Sequence, residues 1–247
     1  MDYSHIRGII FDLGSTLIEF ESRPWGEINL DGNKRVYDGL SDLNHTLPDF
    51  DTFNNRLEEI KQEYRTAAME TLAEWRAMEA FEKLLTEFGV ADPTAQSRRC
   101  MDIYYSLVRE GFELCDGAAE TVQELKRSGY RTGVISNTIF PASAHEYDLD
   151  MLDLMPYIDF RIYSSDFGHR KPFAGIYEEG LRLIGLPAGN TLFVGDRYDE
   201  DVAGPQKAGM AAVLKYHEGR VYPDPMPNGF PVIHRIDQIL NIVNQKR

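Results

Sequence analysis

The chain has 247 residues, 43% of them apolar, 27% charged and 11% aromatic, with a formal charge of −14. This composition supports a sizeable buried core and excludes a disordered chain, while the acidity opposes any binding of nucleic acid through its phosphates. No apolar run approaches the ~18 residues a membrane-spanning helix requires, and the opening MDYSHIRGIIFDLG lacks the pattern of a secretory signal, so a cytoplasmic protein without membrane contact is expected. Cys100 and Cys115 are too few for a disulfide framework and lack metal-site spacing, and read as buried, inert thiols.

In chain order, the first predicted element is a strand over 6–11, a short run rich in β-branched residues of the kind buried in parallel sheets. From 21 to 114 that character disappears. Phe53, Leu57, Ile60, Tyr64, Ala68, Leu72 and Trp75 sit three or four apart, and Asp92-Pro93 supplies an N-cap followed by proline at the first helical position, so this stretch reads as all-helical. Strand and helix patterns then alternate. Ala118, Val122 and Leu125 mark a helix stopping at Gly129, strands follow over 132–135 and 160–163, and Ile176, Leu181 and Ile184 mark a helix stopping at Gly185. Strands over 191–194 and 211–214 come next, then a rigid surface loop over 216–231 with Pro223, Pro225, Pro227 and Pro231, a short strand over 231–234 and a helix from Ile236. The expected fold class is α/β: a three-layer, Rossmann-like core with a parallel sheet, formed by 1–20 and 115–247, with an all-helical domain over 21–114 inserted after the first strand. Such a sheet binds ligands at the carboxyl ends of its strands.

Four groups of residues fall there. Asp12 follows the first strand and precedes Leu13-Gly14-Ser15-Thr16; Ser136-Asn137-Thr138 follows the second; Arg170-Lys171-Pro172 lies beyond the third; Gly195-Asp196 follows the fourth, with Asp201 shortly after. Each alone has a plain reading as a helix cap, a turn residue or a solvated charge. Their conjunction differs. Acidic positions on neighbouring strands share one hard divalent cation through oxygen ligands, while a hydroxyl and an ammonium opposite hold a phosphate, an arrangement that describes phosphoryl transfer to a carboxylate.

In these motifs and their order the sequence resembles the haloacid dehalogenase-like superfamily, specifically its phosphatase branch with a helical cap inserted after the first motif. The resemblance spans Ile6 to Leu214, the cap matching in position and helical character alone. It implies Asp12 as nucleophile, Mg²⁺ bound by Asp12, the carbonyl of Gly14 and Asp196 with Asp201 behind them, and a transferring phosphoryl group held by Ser136, Asn137 and Lys171. A carboxylate attacking phosphorus must approach an anion, which is why a metal and a lysine belong beside it. The expected function is Mg²⁺-dependent hydrolysis of a small phosphorylated metabolite through an aspartyl-phosphate, by a monomer or homodimer.

One position departs from that pattern. Phosphatases of this kind carry a second aspartate two residues after the nucleophile as general acid and base, and here the residue is Gly14. General acid-base catalysis contributes ~10²- to 10⁴-fold, roughly 3 to 5 kcal/mol of barrier. Water or a cap residue supplies the proton, the substrate has a good leaving group, or the protein binds a phosphorylated ligand as a binding or interaction module with little turnover. Ser15 is a poor acid, Glu19 reads as an exposed surface residue and His169 as a solvated loop residue. Gly14 also speaks against a phosphomutase, and the acidic pair Asp196 and Asp201 against metal-free dehalogenation; a phosphonatase needs a buried cap lysine, and nothing marks Lys34, Lys61 or Lys83 as one. Phe20, Arg23 and Trp25, just after the first motif, are candidates for substrate specificity, with Arg23 facing a second anionic group and Trp25 stacking on a flat one; both also read as cap-core packing.

Overall fold

In the computed structural model, which describes residues 2–20, 23–43 and 45–244, strand β1 (Gly8–Phe11) is buried along its whole length. Strand β2 (Ile18–Glu19) leads out into helices α1 (Trp25–Ser41), α2 (Phe50–Thr71), α3 (Ala77–Glu87) and α4 (Pro93–Glu110), and β3 (Glu113–Leu114) leads back. Because β2 and β3 pair antiparallel, Ile18 opposite Leu114, the helical insertion leaves and re-enters the core side by side. Then follow α5 (Ala118–Arg127), β4 (Arg131–Ser136), α6 (Ala142–Met151), β5 (Phe160–Tyr163), a turn of helix α7 (Ser164–Phe167) and α8 (Ala174–Ile184). The chain continues through β6 (Thr191–Gly195), a π-helical turn (Tyr198–Ala203), α9 (Gly204–Lys207), β7 (Ala211–Lys215), β8 (Val232–Ile233) and α10 (Ile239–Val243).

The parallel sheet has the order β5-β4-β1-β6-β7-β8. Alternate side chains of a strand face opposite sides, and β1 uses both. Ile9 and Phe11 belong to the cluster that takes in Val122 and Leu125 of α5, whereas Ile10 packs with Ile176, Tyr177 and Ile184 of α8. Burial on two faces is why the central strands read as continuous apolar runs.

Two local differences from the sequence reading have physical causes. The apolar stripe from Phe53 to Trp75 does not continue as one helix: α2 ends where Leu72 turns left-handed at φ 57°, and Trp75 reaches its place from an extended segment, stacking on Tyr64 with ring centroids 5.5 Å apart. That segment is tied to the core by Glu74 N–H to the Gly168 carbonyl (3.0 Å) and Arg170 N–H to the Leu72 carbonyl (2.9 Å), contacts between distant segments that override helical spacing. Helix α6 has no apolar stripe because its buried face carries His145 and Asp148 beside Leu149, so periodicity does not reveal it. The helix start at Asp92-Pro93 forms as the spacing predicts, the Asp92 carboxylate accepting from Ala95 N–H at 3.2 Å. Among the described residues no helix is long and apolar enough to cross a membrane.

Candidate active site

Asp12 emerges from β1 with its N–H on the Val194 carbonyl (2.8 Å), which fixes it beside the end of β6 and therefore beside Asp196. Asp201 sits in the π-helical turn, where its Oδ2 accepts the N–H of Arg197 at 2.8 Å and caps the turn from within. Carboxylate oxygens of Asp12, Asp196 and Asp201 lie within 4.8 Å of one another. Lys171 Nζ bridges two of them, donating to Asp12 Oδ1 at 2.7 Å and Asp201 Oδ1 at 2.6 Å. The residue is 1% exposed. Its backbone is held by the side chain of Asn137, whose Oδ1 accepts Lys171 N–H at 2.7 Å and whose Nδ2 donates to the Lys171 carbonyl at 3.0 Å. Asn137 thus spends its amide on placing the lysine, whereas Ser136 lines the cleft and its hydroxyl makes no hydrogen bond among the described residues.

The turn after Asp12 is held by two cations the sequence reading did not single out. Ser15 takes the left-handed conformation (φ 53°), Lys215 Nζ donates to its carbonyl at 2.6 Å, and Arg220 Nη2 donates to its hydroxyl at 3.0 Å. Arg220 Nε also donates to Asp196 Oδ2 at 2.5 Å. Asp196 is itself only 1% exposed, and its Oδ1 is buried without a hydrogen-bond partner among the described residues. A buried carboxylate oxygen left open beside two further carboxylates is the donor set a hard divalent cation takes, so these residues fit a metal ion.

The electrostatics agree. Burial pulls the Lys171 ammonium down, but Asp12, Asp201 and Glu200 outweigh it and hold the group charged, above its ordinary range. Burial raises Asp201, with Lys171 opposing and Asp12 and Asp196 adding to the rise; burial and then Asp12 raise Asp196, against Arg220. Crowded carboxylates in a dry site demand further positive charge.

Asp12, Ser136, Asn137, Glu200 and Arg220 line a cleft of about 590 Å³ between the strand ends and the inserted helices, with Lys171, Asp196 and Asp201 buried behind them. Phe20 and Trp25 line it, as does Gly14, but Arg23 does not: its guanidinium is spent on Asp31 (2.7 Å) and Glu27 (3.4 Å) at the surface. That corrects its expected place at the pocket. Glu19 is half-buried rather than exposed, bonded to the Ser15 hydroxyl (3.2 Å) and paired with His217 (3.4 Å), and His169 stacks on Phe173 at 4.2 Å. The inserted helices present Asn29, Glu58, Arg65 and Tyr104 to the cleft. Behind them Lys61 is 3% exposed, a burial the sequence did not disclose. Its ammonium donates to Asn29 (2.7 Å), Asn33 (2.9 Å) and Glu58 (3.0 Å), so it serves the wall of the cleft rather than its interior. Burial, opposed by Glu58, pulls it down to about 8.

A family model described as haloacid dehalogenase-like hydrolase matches residues 6–209. The chain belongs to that family. Among the curated relatives of this chain, the glyceraldehyde 3-phosphate phosphatase of Methanothermobacter thermautotrophicus is 37% identical over 94 residues, 38% of this chain and 41% of that protein. The match therefore spans well under half of that relative's length. The ribulose-1,5-bisphosphate 5-phosphatase of Halopiger xanaduensis is 24% identical over 207 residues, 83% of each chain. The fold recurs in the 2-haloacid dehalogenase of Pseudomonas syringae (TM-score 0.68, 21% identity, 96% of this chain and 98% of that one) and in a phosphatase from Thermococcus onnurineus (TM-score 0.65, 18% identity, 98% and 100%).

This chain's own departure is at Gly14. A Cβ built there meets one neighbour within 4 Å, Phe20 Cδ2 at 3.7 Å, an ordinary van der Waals contact, so the position admits the first atom of a side chain. Lys215 and Arg220 escaped the sequence reading because each lies at or beyond the end of β7, where the prolines that follow signal only a surface loop.

Proposed function

We propose that the hydrolase is a Mg²⁺-dependent phosphoric monoester hydrolase acting on a small phosphorylated metabolite, with 21–114 as its cap. The observation that carries the reading is the Asp12, Asp196 and Asp201 triad bridged by Lys171, with Asp196 Oδ1 buried and open. Asp12, Asp196 and the Gly14 carbonyl, backed by Asp201, would hold Mg²⁺, which when bound neutralises charge on the phosphoryl group. Asp12 attacks phosphorus, the bond to the ester oxygen breaks, and the aspartyl-phosphate is then hydrolysed by water, which restores the carboxylate and releases phosphate. Lys171 stays protonated and offsets the repulsion between carboxylate and phosphoryl anion, while the uncommitted Ser136 hydroxyl donates to a phosphoryl oxygen. Asn137 fixes the lysine from behind. No carboxyl stands at position 14 to protonate the leaving oxygen, and Glu19, bound to Ser15 and His217, does not line the cleft. Solvent or a carboxyl of the cleft wall, such as Glu58 or Glu200, then carries that proton, which favours substrates with good leaving groups.

The relatives named above act, by their names, on glyceraldehyde 3-phosphate and ribulose 1,5-bisphosphate, which supports a small phosphorylated substrate. The open position at Gly14 favours a second reading, a phospholigand-binding protein with little turnover. Both meet the same test. Phosphate release from p-nitrophenyl phosphate is expected with Mg²⁺, lost on chelation and abolished by Asp12→Asn, which keeps shape but removes the nucleophile. Equal activity in that variant would overturn the assignment of Asp12; binding of phosphate without turnover would select the second reading.

A further inference from the structure

The loop after β7 delivers a guanidinium into the candidate metal and phosphoryl site. Arg220 has a side chain 10% exposed, donates to Asp196 Oδ2 (2.5 Å) and to the Ser15 hydroxyl (3.0 Å), and lines the same cleft as Asp12 and Ser136. Its backbone is not loosely placed. Tyr222 donates its hydroxyl proton to the Asp196 carbonyl at 3.0 Å and accepts from His217 N–H at 2.9 Å, so the 217–222 turn is stitched to the residue whose carboxylate Arg220 holds. Arginine suits this position because its guanidinium remains charged in a desolvated site and its fork satisfies two acceptors at once.

The geometry points to Arg220 as a fixed counter-charge of the active site, one that takes Asp196 Oδ2 out of contention for a metal ion and moves the balance of the pocket from cation binding towards anion binding. The inference rests on the phosphatase reading. With Lys171, the three carboxylates leave two negative charges and Arg220 reduces that to one, while Arg197 and Glu200 beside them pair with each other at 3.8 Å. A divalent cation is then held less tightly than by the carboxylates and Lys171 alone, and a phosphoryl dianion is admitted more readily. Asp196 is placed by the end of its own strand and buried there, so loss of Arg220 changes the charge of the site more than the position of the carboxylate.

The consequence is a pair of opposite shifts. In Arg220→Ala, calorimetric titration of the metal-free protein with Mg²⁺ should show a Kd lowered by about tenfold, and inhibition of p-nitrophenyl phosphate hydrolysis by inorganic phosphate should weaken by about tenfold, the scale of one close charge in a partly buried site. Arg220→Gln, which keeps a donor for Asp196 while dropping the charge, should move both constants the same way and covers the case in which the alanine variant does not fold. Arg220→Lys should stay near the unaltered protein on both. Unchanged or weakened Mg²⁺ binding in the glutamine variant, unchanged phosphate inhibition, or a lysine variant that matches alanine would each overturn the inference. If the unaltered protein binds Mg²⁺ and turns over substrate but the variants do not shift, this inference alone fails; if it binds neither Mg²⁺ nor phosphate, the phosphatase reading fails with it.

Discussion

Restoring a carboxyl at position 14 tests the reading of the site most directly. Gly14 does not share the left-handed backbone of its neighbour Ser15, and an added Cβ meets only Phe20 Cδ2 at 3.7 Å, an ordinary van der Waals contact. Gly14→Asp therefore enters without backbone strain or collision at its first atom. Nearby carboxylates raise the pKa of the newcomer, which suits a group that must carry a proton. General acid catalysis contributes ~10²- to 10⁴-fold, and an unrefined graft belongs at the lower end, so kcat for an alkyl phosphate such as glycerol 3-phosphate should rise about 10²-fold, roughly 2.7 kcal/mol of barrier. For p-nitrophenyl phosphate, whose leaving group departs without a proton, the gain should stay below about tenfold. Steady-state kinetics of both substrates at saturating Mg²⁺ decide the matter. Equal gains on the two substrates, or none on either, would refute the argument that the glycine leaves the acid's place vacant.

Two further outcomes concern the scaffold. His145 lies under the cleft with Nε2 on Thr138 (2.7 Å) and Nδ1 on Tyr105 (3.1 Å), and burial, then Arg109, pulls its pKa from 6.5 down to about 3. The unfolded chain binds a proton that the folded chain refuses, so this contribution to stability is full above about 6.5 and is lost as pH falls towards 3. At pH ~4.5 the loss amounts to roughly 2 to 3 kcal/mol; urea unfolding across pH should be correspondingly flatter in His145→Gln, and parallel profiles would show that the histidine titrates normally. In β4, a Cβ on Gly133 would sit 2.2 Å from Phe160 Cε1 and 2.3 Å from its Cζ. Gly133→Ala should cost about 1 to 3 kcal/mol in the same assay, and an unchanged midpoint would contradict the packing of Phe160 over that strand.

Strands were legible where burial on both faces turned them into apolar runs, and the candidate site could be drawn up because Asp12 and Ser136 directly follow such runs and Asp196 lies one glycine beyond another. Lys171 could be placed by motif order, although the contact that fixes it, from Asn137, joins residues on different strand ends and has no local signature. Charges on loops and on the inserted helices were not legible. Arg220 reads as solvated until the 217–222 turn folds over Asp196, Lys61 until α1 and α2 close around it, and Arg23 as a pocket residue until Asp31 claims it. For Arg220 and Lys61 a tertiary neighbour decides which way the long cationic side chain turns, whereas Arg23 is claimed by Glu27 and Asp31 of the helix that follows it, a local spacing that was there to be read.

The antiparallel clasp of β2 and β3 bears on how the chain folds. Strand β1 pairs with β4 and β6, both of which follow the helical insertion. As open coil the stretch from β1 to β4 is on the order of a hundred residues, and closing it costs entropy before any sheet contact repays it. Helices α1 to α4 pack among themselves, α4 lying against both α3 and α1; once they condense, Ile18 and Leu114 stand opposite one another and the long closure shrinks to a two-residue ribbon. During synthesis β1 leaves the ribosome before either of its partners and remains an unpaired apolar segment until β4 is complete. Substitutions that slow the helical insertion should thus reveal themselves as aggregation of nascent chains rather than as loss of stability in the finished protein.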